Sequence, residues 1–204
     1  MEKIDYRKKW ATLYSAKAGV PVIVDVPAFR FLMIDGQGDP NTSEDYKSAI
    51  AMLYSMAYTI KFMCKQDLGV NYPVMPLEGL WWTENMRDFS MDDKRYWSWT
   101  AMIMQPDIVN DQIYARALEQ VEEKKHPVAI SKLRFDTYDE GRAAQVLFIG
   151  PYESEGPTIE GLHAFIELSG GILDERNKHH HEIYLSDPRR TAAAKLKTII
   201  RQPF

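Results

Sequence analysis

Apolar and polar positions along this chain follow two rhythms, and the rhythms recur in the same order. Residues 28–34 are β-rich and apolar. Gly36, Gly38 and Pro40 then turn the chain, because glycine supplies positive φ and the residue before a proline is biased away from helix. Asn41, Thr42 and Ser43 followed by Glu44 and Asp45 read as a helix N-terminus, a capping oxygen with acids in the first turn. Beyond it Tyr46, Ala49, Ile50, Leu53, Ala57 and Ile60 keep a three-to-four spacing. That predicts a helix over 43–66 with one buried stripe. Tyr54 and Tyr58 form a neighbouring stripe, either core edge or pocket wall. Residues 74–82 predict a strand with Glu78, Leu80 and Trp82 on one face and Trp81 on the other. A polar, turn-like stretch over 83–93 leads to a partner strand at 95–104, with Trp97 and Trp99 on one face.

The pattern then repeats. Residues 133–138 and 143–150 predict strands joined by a hairpin turn at 139–141. Thr158 and Glu160 open a helix whose Ile159, Leu162, Phe165 and Ile166 face inward, and Gly170 and Gly171 end it. Strands follow at 179–185 and 196–201. Between the copies, Ile113, Ala117 and Val121 predict a linking helix over about 110–126. Residues 1–20 are a lead-in with a short helical piece near 6–14. The fold class is α+β: one domain over 1–204 made of two tandem strand–helix–strand–strand modules, about 21–106 and about 130–204. They share an antiparallel sheet with helices on one side. A ligand groove is expected on the pseudo-twofold between the modules.

Composition narrows the function. A net charge of −4 over 204 residues argues against direct nucleic-acid binding, which needs a clustered basic excess. The N-terminus lacks the apolar core of a signal peptide, and no apolar run reaches the ~18–20 residues of a membrane span. The single cysteine, Cys64, falls in an apolar helical stretch and reads as a buried thiol. Together these point to a cytoplasmic protein. Four of the five tryptophans fall in two close pairs, Trp81/Trp82 and Trp97/Trp99, which suits a pocket for a flat ligand.

Two glutamates stand among these aromatics. Glu182 and Tyr184 lie two apart on a strand and therefore share a face. Glu78 holds the corresponding place in the first copy, beside Leu80 and Trp82. A carboxylate walled by aromatics either holds a cation or acts as a general base. Tyrosine hydroxyls, Tyr184 or Tyr152, can donate to a developing oxyanion. His179–His181 is not a metal motif, since adjacent strand residues point apart. No cofactor fingerprint is present in the sequence.

Phe148–Tyr152, the helix through Ile159 to Phe165, and His180–Pro188 together resemble the GyrI-like small-molecule-binding family. The segments Lys195–Arg201 and Pro76–Trp82 are similar to its stand-alone bacterial branch. The resemblance implies two modules flanking a ligand groove, with Glu182 as the buried acid that meets cationic aromatic ligands. It further implies relatives that hydrolyse the cyclopropane of cyclopropanoid DNA-alkylating antibiotics. In that reading Trp82, Trp97 and Trp99, with Tyr54, Tyr58 and Tyr152, contact the substrate. Glu182 or Glu78 activates water, and Tyr184 or Tyr152 serves the oxyanion. The alternative is binding or sensing without chemistry. The oligomeric state stays open.

Overall fold

The computed structural model describes residues 1–84, 94–125, 127–173 and 179–204. The expected polar turn at 83–93, with Asp88, Asp92 and Asp93, lies almost wholly outside them, as does the question of whether it covers the groove. The chain opens with β1 (Glu2–Lys3), α1 (Tyr6–Lys9) and α2 (Ala11–Tyr14). Strands β2 (Val22–Val26) and β3 (Phe29–Gln37) follow, then the long helix α3 (Glu44–Asp67), β4 (Val70–Asn71), β5 (Leu77–Trp82) and β6 (Ser98–Gln105). Helix α4 (Asp111–Lys125) leads to β7 (Arg134–Tyr138), β8 (Gly141–Ile149), α5 (Gly156–Leu168), β9 (His180–Tyr184) and β10 (Lys197–Pro203).

Eight strands form one antiparallel sheet in the order β2-β8-β10-β9-β5-β6-β3-β7. The order reads alike from both sides of the central β9–β5 pair. On one side β3, α3, β5 and β6 form a strand–helix–strand–strand unit, and on the other β8, α5, β9 and β10 do the same. Each unit is completed by a strand from outside it, β7 beside β3 and β2 beside β8.

The sheet curls tightly. Two-residue connections, 27–28 and 139–140, join strands at opposite ends of its order. Tyr138 on β7 meets His181 on β9 with ring centroids 6.3 Å apart, although three strands separate β7 from β9 in the hydrogen-bonded order. Strands lie about 4.8 Å apart, so a flat sheet keeps those rings roughly three times farther apart. The expected hairpin at 139–141 is therefore a crossover: β7 and β8 do not pair, and Gly141, at φ 71°, makes the sharp turn that glycine tolerates.

Helices α3 and α5 both pack on the outer face. Ser43 caps α3, its Oγ accepting from the Tyr46 amide at 3.2 Å. The expected stripe of Ala49, Leu53, Ala57 and Ile60 is buried. Helix α4 lies against α3. Helix α5 covers a smaller cluster of Val146, Leu162, Ile166 and Ile200. Strand β5 begins at Leu77 rather than 74, because Pro73 and Pro76 have no amide hydrogen for a ladder. Cys64 is in the core beside Tyr72, and burial pushes its thiol pKa up, as an unreactive cysteine requires. Among the described residues no helix is long and apolar enough to cross a membrane.

Candidate functional site

Alternation along β5 and β9 gives the centre of the sheet two chemically different faces. Register sets Gly79 opposite Glu182, Trp81 opposite His180 and Leu77 opposite Tyr184, and these six share the outer face. Glu78, Leu80, His181 and Ile183 share the inner one.

On the outer face a cavity of about 830 Å³ opens between α3, the β5–β9 pair and the segment entering α5. Glu182, only 6% exposed, is the acid on its floor. His180 Nε2 meets Glu182 Oε1 at 3.2 Å, and the Tyr184 hydroxyl donates to Glu182 Oε2 at 2.7 Å. Trp81 Nε1 donates in turn to the Tyr184 oxygen at 3.1 Å. Burial opposes charge on Glu182, but the hydrogen bond and charge of His180 and the bond from Tyr184 outweigh it. The carboxyl pKa is lowered.

A second acid stands beside it. Glu155 is fully buried, and neither carboxyl oxygen has a hydrogen-bond partner among the described residues. Burial, followed by the charge of Glu182, pushes its pKa up to about 9. At neutral pH the pair therefore holds one proton and one charge: Glu155 neutral, Glu182 ionised. Glu155 stands directly before α5 and makes no capping bond to that helix, so its side chain is free for the cavity.

The walls are aromatic. Trp81 and Trp97 meet edge-on at 5.5 Å, Tyr46 lies 5.6 Å from Trp81, and Tyr152 stands edge-on to Tyr184 at 5.7 Å. Burial raises the Tyr152 hydroxyl to about 12, so it remains a donor. Tyr54 and Tyr58 line the mouth on α3, with Tyr58 47% exposed. Lys94, Lys47, Arg7 and Arg189 supply cationic groups around the cavity.

The cavity thus gathers Glu182, Tyr184, Trp97, Tyr152, Tyr54 and Tyr58 from the residues expected in the sequence. It does not gather Glu78, Trp82 or Trp99. Glu78 points to the inner face and is 0% exposed, because strand register matches Gly79 rather than Glu78 to Glu182. Trp82 stacks on His179 at 4.2 Å and 15°, away from the cavity. Trp99 is 1% exposed, lies edge-on beneath Tyr46 at 4.9 Å, and fills the space over Gly36, where a β-carbon meets its ring within 2.2 Å. The sequence reading missed Trp81, which shares the outer face, and Glu155, which sits in a polar turn without periodicity. An acid directly before Gly156 and Pro157, at the start of a helix, was the available signal for Glu155.

The inner face holds a closed polar network. Tyr14 donates to Glu78 Oε1 at 2.8 Å; His181 Nε2 meets Glu78 Oε2 at 3.0 Å and its Nδ1 meets Glu140 Oε1 at 2.8 Å. Arg201 bonds Glu140 at 2.9 Å, Gln145 at 3.0 Å and the Leu13 carbonyl at 2.6 Å. Burial alone lowers the His181 pKa, but the charge of Glu140 and the bonds to Glu140 and Glu78 raise it to about 9. Glu140 moves the opposite way: against the cost of burial, His181 and Arg201 bring it down to about 2. The network ties α2 to the inside of the curl.

The sequence matches the model of the GyrI-like small molecule binding domain over residues 20–203. Three solved structures from Listeria innocua share the architecture end to end. One, an uncharacterized conserved protein, is 37% identical with a TM-score of 0.88 and covers 98% of each chain. A second, described as a hydrolase, is 37% identical with a TM-score of 0.86 over 99% of each chain. The third, also described as a hydrolase, is 36% identical with a TM-score of 0.82 over 98% of each chain. No curated protein matches the sequence. With its matched residues spanning both strand–helix–strand–strand units and the cavity between them, the chain belongs to the GyrI-like small-molecule-binding domain family.

Proposed function

We propose that the cavity binds flat aromatic small molecules and that its glutamate pair adds water across the strained cyclopropane of cyclopropanoid DNA-alkylating compounds, protecting the cell from them. The observation that carries this reading is the pair itself, one buried carboxylate held charged beside a buried carboxyl held neutral, in an aromatic cavity. Two Listeria proteins of the same architecture described as hydrolases support it.

The substrate class is a spirocyclopropane conjugated to a ketone. Trp81 and Trp97 contact its planar rings. Glu182 accepts a proton from a water whose oxygen bonds to the strained CH₂ carbon. The cyclopropane C–C bond breaks, and its electron pair moves through the ring to the carbonyl oxygen, leaving a phenolate that protonation converts to a phenol. His180 and Tyr184 orient Glu182, and Trp81 fixes Tyr184. Glu155, being neutral, spares Glu182 a like-charge neighbour and offers a donor to the bound water. General-base assistance is worth about 10²–10⁴-fold, which suffices for a substrate already strained.

The test is mass spectrometry of a duocarmycin-type alkylator incubated with the protein. The expected result is gain of one water faster than in buffer, lost in Glu182→Gln. Unchanged compound, together with tryptophan quenching by cationic aromatic molecules, assigns the cavity to binding alone. A charged Glu182 among aromatic rings also suits that role.

A further inference from the structure

We propose that Lys94 is the anion-receiving residue of this cavity, its ammonium pairing with the oxygen to which ring opening sends the electron pair. It thereby selects electrophiles that carry an acceptor oxygen at the end remote from the attacked carbon. The proposal rests on the hydrolase reading above and gives it a substrate polarity.

Four observations lead to Lys94. It lines the cavity and is half-buried. Its Nζ lies 4.9 Å from the centroid of the Trp97 ring, which is itself a buried cavity wall. A cation–π contact of this kind holds an ammonium in place without neutralising it, as a carboxylate partner does. Among the described residues, no carboxylate lies within ion-pair distance of Lys94, whereas Lys47 is paired to Glu44 at 2.7 Å and Arg189 to Asp187 at 2.9 Å. Arg7 is on the exposed rim. Finally, the charge of Lys94 reaches both Glu155 and Glu182, lowering the pKa of each, so the ammonium faces the acids across the cavity without touching them.

The reaction supplies the reason for a cation there. In a spirocyclopropyl dienone the attacked carbon and the carbonyl oxygen are at opposite ends of the six-membered ring. A pair of adjacent acids at the attacked carbon cannot also contact that oxygen. A bare phenolate forming in a desolvated cavity that already contains the Glu182 carboxylate is disfavoured by like charge. With Lys94 beside it, the phenolate forms as an ion pair. The water proton, taken by Glu182, then returns to the phenolate through solvent, and the net change is addition of one water.

The experiment uses 4-nitrophenol, whose phenolate is coloured, as a probe of the anion site in the intact protein. The Glu182 carboxylate raises the pKa of a bound phenol, so a lowered value that disappears in Lys94→Met isolates the cation. The bound probe is expected to ionise about tenfold more readily than free probe, one pKa unit. This shift is retained in Lys94→Arg and lost in Lys94→Met. Ring-opening kcat in Lys94→Met is expected to fall about 10²–10³-fold, with affinity read by tryptophan quenching within threefold. Equal probe ionisation in wild type and Lys94→Met overturns the assignment, as does a bound probe that ionises no more readily than the free one. A Lys94-dependent probe shift in a protein that opens no cyclopropane keeps the anion site and removes the hydrolase. Glu182-dependent ring opening with full kcat in Lys94→Met removes Lys94 and keeps the hydrolase.

Discussion

His181 and Glu182 are neighbours on one strand, yet they belong to polar clusters of opposite kind. On the inner face of the curl, charges alternate from Glu78 through His181 and Glu140 to Arg201, and each member is bonded to the next. On the outer face, two acids stand side by side, and one of them has no hydrogen-bond partner among the described residues. Complementary charges in a closed, dry space fix a conformation. Like groups beside an open cavity store a proton that a ligand or water can use. The same residue type, glutamate, thus has two roles on one strand pair, separated by the width of the sheet.

The comparison breaks most forcefully at Arg201. Arg201→Met leaves Glu140 buried without its guanidinium, and the expected loss is about 3–5 kcal/mol of stability in urea unfolding. Turnover per folded molecule should persist, because Arg201 lies on the inner face. Turnover that disappears from fully folded Arg201→Met couples the two faces and ends the distinction.

Glu155 sharpens it, by about 1–3 kcal/mol. An acid whose folded pKa is raised contributes stability fully present below its unfolded value near 4.5, and that contribution fades as pH rises toward about 9. Glu155→Gln removes this penalty, so its stability advantage over wild type is expected to widen from pH 5 to pH 9 while turnover falls. The inner network follows its own signs. His181 stabilises fully below about 6.5 and ceases to as pH rises through about 9; Glu140 stabilises above about 4.5 and ceases to as pH falls toward about 2. Urea midpoints across that range, in wild type and variant, separate the contributions. A gap that stays constant with pH contradicts a protonated Glu155.

The smallest expected effect is at Gly79. A β-carbon there meets Trp81 Nε1 at 2.7 Å, the nitrogen that holds Tyr184 against Glu182. Gly79→Ala is expected to displace the indole and lower turnover about tenfold, within the range that small misplacements of catalytic groups cost. Steady-state kinetics with intact thermal stability checks it, and unchanged kcat makes the Trp81–Tyr184 bond dispensable.

Much of this was legible in the residues, and the failures have physical reasons. The α3 stripe was plain because a helix with one buried face writes its period into the sequence. Glu182 with Tyr184 was plain because a spacing of two on a strand fixes a shared face. The face of Glu78 and Trp82 relative to the cavity was not, nor was the cover that Tyr46 places over Trp99, which shares the outer face with Trp81. Alternation gives relative orientation along one strand, but register between strands decides which residues meet, and a curled sheet buries both faces so that apolar neighbours do not tell them apart. Trp81 was set on the face opposite Glu78 and left out of the substrate contacts for the same reason. Glu155 and Lys94 lie outside the regular elements, where no period exists to read.

The most direct test compares ring opening of a cyclopropanoid alkylator, per folded molecule, in Glu182→Gln and Glu78→Gln. The expected result is turnover reduced about 10²–10⁴-fold in Glu182→Gln, and retained in a Glu78→Gln protein that unfolds at lower urea. Glu182→Gln at wild-type rate, or Glu78→Gln inactive at wild-type stability, contradicts the assignment of chemistry to the outer face and cohesion to the inner one.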